Sequence, residues 1–352
     1  MRLSALDDVV CPGTAGKPCH GRLKVASDKA QAIAEDEIAE GILRCERCAA
    51  EYPVLCGVAI LVADLAAYLR ANYALILSLA MEHGLVIGKA MLDYLHRAGA
   101  HFAKRAEAGA PRAVSDYLCA HYDNVLDLLP PAHPLLPFLR EYYERDIYTT
   151  VISMVAPHLA TPGIVLDIGC SVGRMTHELA TRSRAAYGLD LSFDSVFAAR
   201  RVLLGLPTRL TRYELMRDES LRTERPLNVT IAPNAECVVA SGTLLPFATA
   251  SCDVVASANV VDVSGDPAGL VREKLRTLAP RGLFVLTDPY RWNVNASVMQ
   301  WLGGLPSGVA MRMQLTRVLE ILAEADDVPW VMRRYDREFL VYFNHCLVAR
   351  KR

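Results

Sequence analysis

The chain has no excess of either charge. It sets 38 Lys and Arg against 39 Asp and Glu over 352 residues, a formal net charge of -1. Proteins that grip nucleic acid or an anionic membrane surface usually carry a basic excess or a basic block. The balance therefore argues against both partners. Long uncharged apolar runs are also missing, since no stretch reaches the ~18 residues that a membrane helix needs. The greasiest region, Ala74 to Leu95, contains Glu82, His83, Lys89 and Asp93 and reads as a buried or amphipathic helix. The start, MRLSALDDVV, has no apolar segment behind a basic head, so it does not read as a secretory signal. No internal repeat or low-complexity tract is present. Charged residues make up 22%, which excludes wholesale disorder. These absences lead to the expectation of a soluble, cytoplasmic protein. In that compartment the ten cysteines are thiols or metal ligands rather than disulfides.

Length suggests about two domains of ~100–200 residues, but composition separates three zones. Residues 1–63 hold five of the ten cysteines, several glycines and short β-like runs. Residues 64–150 are rich in Ala, Leu, His and Tyr and read as helices, interrupted by Pro130, Pro131, Pro134 and Pro137. Residues 151–352 alternate apolar strands with amphipathic helices, the pattern of an α/β fold with a mostly parallel sheet. Linker candidates are 130–137 and Thr208 to Pro233.

In the third zone, helices are expected over Thr150–His158, Val172–Thr181, Asp194–Leu204 and Pro267–Leu278. Strands are expected over Ile164–Ile168, Ala185–Leu189, Cys237–Ala240, Cys252–Ala258 and Gly282–Thr287. Val331–Tyr335 and Leu340–Ala349 read as a closing pair, and Pro162-Gly163 breaks the chain before the first strand. Ser192 or Asp194 is the expected cap of the third helix.

The informative run is Val165-Leu166-Asp167-Ile168-Gly169-Cys170-Ser171-Val172-Gly173-Arg174. A strand enters a glycine-bearing turn and then a helix. Glycines let the backbone approach a ligand closely, and a helix start offers free N–H groups. The next strand ends in an acid, Asp190, placed to accept the hydroxyls of a ribose. The spacing Gly169-x-x-x-Gly173 is not the GxGxxG of a dinucleotide fold. With Ala240 to Phe247 and Cys252-Asp253-Val254-Val255, it resembles class I S-adenosylmethionine (SAM)-dependent methyltransferases over roughly residues 151–350.

That resemblance implies a Rossmann-like sheet with an antiparallel last strand, and SAM as cofactor. Asp167, Gly169 and Gly173 would shape the pocket for SAM, with Cys170 as the small residue inside the loop. Asp190 would hold the ribose diol and Leu191 would lie under the adenine. Ser241, with Gly242 and Thr243 after it, stands where the family often has an Asp that bonds the adenine amine. Asn259 would face substrate and sulfonium from the end of the fourth strand.

In the first zone Cys11-Pro12 and Cys19 precede Cys45-Glu46-Arg47-Cys48. Two cysteine pairs on two turns can converge on one Zn²⁺ as a closed structural site. The layout, with Tyr52-Pro53-Val54 after the second pair, resembles the zinc ribbon found ahead of the catalytic domain in various bacterial methyltransferases. Cys11, Cys19, Cys45 and Cys48 are the expected ligands, His20 is an alternative to Cys19, and Cys56 is a spare. A metal-free ribbon of reduced thiols is the competing reading. The other five cysteines read as small buried residues.

Four further runs point to the substrate end: Asp116 to Tyr122, Thr287 to Trp292, Gln300 to Gly304, and Val328 to Arg334. Together with Asn259-Val260-Val261-Asp262 they resemble the 4-mercaptohistidine N1-methyltransferases of the ovothiol type. Asp288, where that family has Ser, is a departure. The resemblance implies a small amino-acid-like, imidazole or amine acceptor. Tyr122, Tyr290 and Trp292 would supply aromatic faces to the sulfonium and acceptor. His121 and Asp262 would orient the acceptor or take its proton, while residues 64–150 close as a lid. For Trp301 and Trp330 the expectation is packing. Two other functions compete. One is cyclisation of SAM to azetidine-2-carboxylate and methylthioadenosine. The other is a zinc-ribbon interaction protein with a residual SAM fold, acting with a partner or on rRNA, the latter through a local basic face such as Arg200, Arg201, Arg209 and Arg212.

Overall fold

Strands form where apolar, β-branched runs can be covered on both faces, and the computed structural model shows that arrangement. It describes residues 1–14, 17–26, 32–34, 36–101, 111–143, 146–159, 163–217, 221–292 and 307–352. The break at Pro162 and the Gln300 to Gly304 run, with Trp301, lie outside the described residues. Strands β1 (Leu23–Val25), β2 (Ala32–Ala34), β3 (Glu37–Cys45), β4 (Glu51–Leu55) and β5 (Val58–Leu61) pair antiparallel. Helices α1 (Leu65–Glu82), α2 (Lys89–Arg97), α3 (Pro111–Tyr122), α4 (Leu136–Tyr142) and α5 (Ile147–Val155) follow. The chain then runs through β6 (Ile164–Ile168), α6 (Arg174–Ala180), β7 (Ala185–Asp190) and α7 (Phe193–Leu203). Next come β8 (Arg212–Met216), β9 (Arg222–Pro226), β10 (Ala235–Ala240), β11 (Cys252–Ala258) and α8 (Pro267–Thr277). Finally come β12 (Leu278–Asp288), α9 (Ser307–Leu315), β13 (Leu319–Tyr335) and β14 (Glu338–Lys351).

The main sheet has the order β1-β3-β4-β5-β10-β7-β6-β11-β12-β14-β13. Neighbours from β5 to β12 are parallel, and β14 joins antiparallel between β12 and β13. This is the expected α/β sheet with an antiparallel last strand. The strand order reverses between β6 and β11. In open α/β sheets, ligands bind outside the strand ends at such a switch point. All six residues of β10 are buried, as a parallel strand covered on both faces requires.

The cysteine-bearing meander is continuous with this sheet. Val239 and Ala240 of β10 pair parallel with Ile60 and Leu61 of β5. Arg200 on α7 is 1% exposed and ion-pairs with Glu236 on β10 and, at 2.6 Å, with Glu37 on β3. Helix α1, capped by Asp64 accepting from Ala67 N–H at 2.9 Å, packs against α7. Helix α3 packs on β8 and β13, and α5 on α6 and β13.

Three expectations change. Ala74 to Leu95 is not one helix, because α1 ends at Glu82 and Gly84 turns the chain at φ +63° before α2. Thr208 to Pro233 is not a bare linker but carries the β8–β9 hairpin. The Tyr213 hydroxyl and the Arg225 guanidinium of that hairpin both bond Asp123 Oδ2 at the end of α3. The basic face does not form as expected. Arg200 is inside, and Arg201 and Arg209 donate to the carbonyls of Thr208 and Val229. No helix among the described residues is long and apolar enough to cross a membrane.

Candidate active site

Between β6 and α6 the chain turns through residues that need left-handed backbone: Gly169 at φ +73°, Ser171 at +47° and Gly173 at +89°. A Cβ on Gly169 would lie 2.1 Å from Val260 Cγ2, and one on Gly173 would lie 2.8 Å from Leu203 Cδ1. Glycine is required there by space as well as by angle. The N–H groups of Gly169 and Cys170 donate to Leu189 O at 2.7 and 2.9 Å, which seats the loop on the end of β7. Asp190 continues that end. Its Oδ2 accepts from Ser171 N–H at 3.0 Å and its Oδ1 from Ser192 N–H at 2.9 Å. Burial pushes the Asp190 carboxyl above the usual range, against the pull of those N–H donors. Asp167 is 1% exposed. Its Oδ2 accepts from the Thr176 hydroxyl at 2.7 Å, its Oδ1 has no partner, and burial pushes it up to about 7.

A cavity of about 760 Å³ opens beside this loop. Asp167, Gly169, Cys170, Asp190 and Leu191 line it, and so do Ser241, Gly242, Thr243 and Asn259. The sequence-predicted cofactor residues thus meet in one place, apart from Gly173, which packs on α7. Leu191 is half-exposed, and its carbonyl accepts from the Tyr68 hydroxyl of α1 at 3.0 Å. The Ser241 and Thr243 hydroxyls bond each other at 2.8 Å. Asn259 adopts φ +55°, and its N–H donates to Thr287 O at 2.8 Å. The Cys170 thiol lies beside that of Cys237, and this hydrogen-bonded neighbour and burial push it well above the usual thiol range. That disfavours the thiolate a nucleophile needs.

At the other end the expected residues separate. His121 and Asp262 line the cavity, whereas Tyr122, Tyr290 and Trp292 are not among its lining residues. The Tyr122 hydroxyl donates to Val172 O at 2.8 Å and so braces the glycine loop. Tyr290 and Trp292 stack on each other at 5.8 Å, and the Tyr290 hydroxyl bonds His345 Nδ1 at 2.8 Å. The aromatic wall comes instead from Tyr117 on α3, Tyr148 on α5, and Trp330 and Tyr342 on the closing hairpin. Trp330 was expected to pack, and it does, but against Tyr117 at 6.5 Å in the cavity wall. A signal was present: Trp330, Met332 and Arg334 alternate along one strand, so they share a face, and all three line the cavity.

His121 is 8% exposed, with Tyr148 at 5.0 Å and Tyr117 at 5.9 Å between ring centroids. Burial, then the nearby Arg174 guanidinium, lowers its pKa to about 3, so the ring is neutral. Its Nδ1 is buried without a partner, as are Trp330 Nε1 and Asp262 Oδ1. Asp167 Oδ1 and Ser171 Oγ are likewise unpartnered, and buried polar atoms are normally satisfied, so five orphans on residues lining one cavity mark a place for a ligand.

In the meander, the sulfurs of Cys11, Cys19, Cys45 and Cys48 all lie within 4.8 Å of one another. Cys11 to Cys48 is 3.6 Å and Cys19 to Cys45 is 3.7 Å. Tetrahedral zinc with ~2.3 Å bonds to sulfur spaces its ligands by ~3.8 Å. Backbone N–H groups of Gly13 and Arg47 point at Cys11 and Cys45 sulfur at 3.3 Å each, which suits thiolates. The donor set therefore fits a soft, four-coordinate metal.

No curated protein matches the chain. Residues 166–286 match the family model described as a methyltransferase domain. Among solved structures, a SAM-dependent methyltransferase from Methanosarcina mazei is similar at 17% identity and TM-score 0.40, over 59% of this chain and 99% of that one. A putative methyltransferase from Bacillus halodurans is similar at 14% identity and TM-score 0.39, over 58% and 98%. The magnesium protoporphyrin IX methyltransferase of Synechocystis, with bound SAH, is similar at 16% identity and TM-score 0.42, over 69% and 95%. Residues 166–286 thus resemble a methyltransferase domain.

Proposed function

We propose that the enzyme moves the SAM methyl group in line to a small amino-acid-like, imidazole or amine acceptor. One observation carries this reading. A single cavity joins the glycine loop and Asp190 to an aromatic wall, and its lining residues carry five unpartnered buried polar atoms. SAM supplies an already activated methyl. Asp190 holds the ribose diol, Leu191 covers the adenine, and the Ser241–Thr243 turn meets the adenine edge. Tyr117, Tyr148 and Trp330 face the sulfonium and acceptor, neutral His121 accepts a hydrogen bond, and Asp262 takes the acceptor's proton. Alignment of acceptor, methyl and sulfur is worth up to ~7–11 kcal/mol in favourable cases, so the protein needs no covalent nucleophile.

The substrate class follows the likeness to 4-mercaptohistidine N1-methyltransferases carried by Asp116–Tyr122, Asn259–Asp262, Thr287–Trp292, Gln300–Gly304 and Val328–Arg334. The working division is a ribbon of residues 1–63, a lid of 64–150 and a SAM-binding domain of 151–352. Cys11, Cys19, Cys45 and Cys48 hold a structural Zn²⁺, and the ribbon is bound to the catalytic sheet through β5. Purified protein incubated with SAM, with and without histidine-like acceptors, and analysed by mass spectrometry tests the reaction. S-adenosylhomocysteine that depends on the acceptor supports methyl transfer. Methylthioadenosine from SAM alone contradicts it and indicates cyclisation.

A further inference from the structure

Asp288 ends β12 with no exposed surface. Its Oδ2 accepts from Val261 N–H at 3.0 Å and Asp262 N–H at 3.3 Å, and its Oδ1 accepts from Tyr290 N–H at 2.8 Å. One carboxylate thus ties the loop after β11 to the turn after β12. In that turn Tyr290 sits at φ +55°. This is a costly angle for an aromatic residue, and it is held by Asp288 and by the hydroxyl's bond to His345. His345 is fixed in turn by Glu324 Oε1 at 2.9 Å. The next N–H in the turn, that of Arg291, donates to Asp262 Oδ2 at 2.8 Å. The other oxygen of Asp262 is buried, unpartnered, and on a residue that lines the cavity.

We propose that Asp288 is a positioning residue: it fixes the turn whose Arg291 N–H holds Asp262, and so keeps Asp262 in its place in the cavity wall. The inference rests on the methyl-transfer reading. In that step the acceptor's lone pair bonds the methyl carbon and the carbon–sulfur bond breaks, its electrons neutralising the sulfonium. The acceptor's proton passes to Asp262 Oδ1. Two buried neighbouring carboxyls cannot both ionise freely. Burial raises both, and the Asp262 charge raises Asp288 further. Other charged groups at this end of the sheet are Arg291 on the same turn, Asp266 at the start of α8, Asp167 on β6, Lys274, and Glu324 and Asp326 on β13 beside Tyr290. Lys274 lies under the sheet, with Nζ 2.6 Å from Ser257 Oγ and 2.8 Å from Val285 O, and it attracts Asp288 and Asp167.

The test is carboxyl-carbon NMR on full-length protein labelled at aspartate, titrated without any acceptor. Asp288→Asn should raise the Asp262 midpoint by about one pH unit, a tenfold change in proton affinity, because the loosened turn no longer presents the Arg291 N–H that stabilises its carboxylate. Asp262→Asn should lower the Asp288 midpoint, because it removes the neighbouring charge that raises it. If Asp288→Asn does not fold, the Asp262→Asn arm decides alone, since that residue lies in the cavity wall. An unmoved midpoint in either folded variant overturns the proposal. Neither arm needs turnover, so failure of SAM binding would sink methyl transfer and leave the carboxyl coupling as measured.

Discussion

His121 is a neutral ring among aromatics, and its chemistry follows from burial. Its pKa in the folded chain is lowered to about 3, against ~6.5 when unfolded. Below that unfolded value the unfolded chain takes a proton that the folded chain refuses. The stability tied to His121 is therefore full above pH ~6.5 and is lost as pH falls towards ~3, at about 1.4 kcal/mol per pH unit. Replacing His121 by Phe should flatten the fall of unfolding free energy between pH ~6.5 and ~5 by about that slope, read from urea denaturation at stepped pH. An unchanged slope would mean that the ring takes its proton alike in the folded and unfolded chain. Residues of this kind divide by how local their signal is. Gly169 and Asp190 were legible because a strand, a turn and an acid announce themselves within a few positions. Tyr148 and Trp330 were not legible as one wall, since only the fold brings α5 beside β13. Tyr290 and Trp292 sit at the expected strand end, yet the left-handed angle at Tyr290 directs them to His345 and each other.

At the scale of elements, alternation and periodicity located most strands and helices of residues 151–352, because each buried run is continuous in sequence, but missed β8, β9 and α9. What they did not give was extent. β13 runs 17 residues and β14 runs 14, well beyond the apolar segments that announced them. Their polar residues are carried by hairpin pairing, which no local pattern reports. The meander poses a different question, since four cysteine sulfurs within 4.8 Å of one another are compatible with a bound metal. One zinc per chain is expected by elemental analysis. A thiol-compatible chelator should cost a few kcal/mol and lower the melting temperature by roughly 5–10 °C. Zinc-free protein with an unmoved melting curve would make the cluster a set of reduced thiols.

At the scale of the whole molecule, the meander is an extension of the catalytic sheet. The sequence showed three zones but not that β5 pairs with β10, because parallel pairing between residues so far apart leaves no local trace. Arg200 was read as a surface base, yet it joins the meander to α7 and β10 from inside the protein. Removing one partner of a buried ion pair strands the other, at ~3–5 kcal/mol. Arg200→Ala should lower unfolding free energy by that order in urea denaturation, and a cost below ~1 kcal/mol would show the clasp to be dispensable. The central claim is that the cavity beside the glycine loop binds SAM through Asp190. The most direct measurement is calorimetric titration of SAM into the wild type and into Asp190→Asn. The account expects one site per chain in the wild type. It expects affinity at least about tenfold weaker in the folded variant, as charged hydrogen bonds worth ~1.5–3 kcal/mol imply. No binding by the wild type, or equal binding by both, would contradict it.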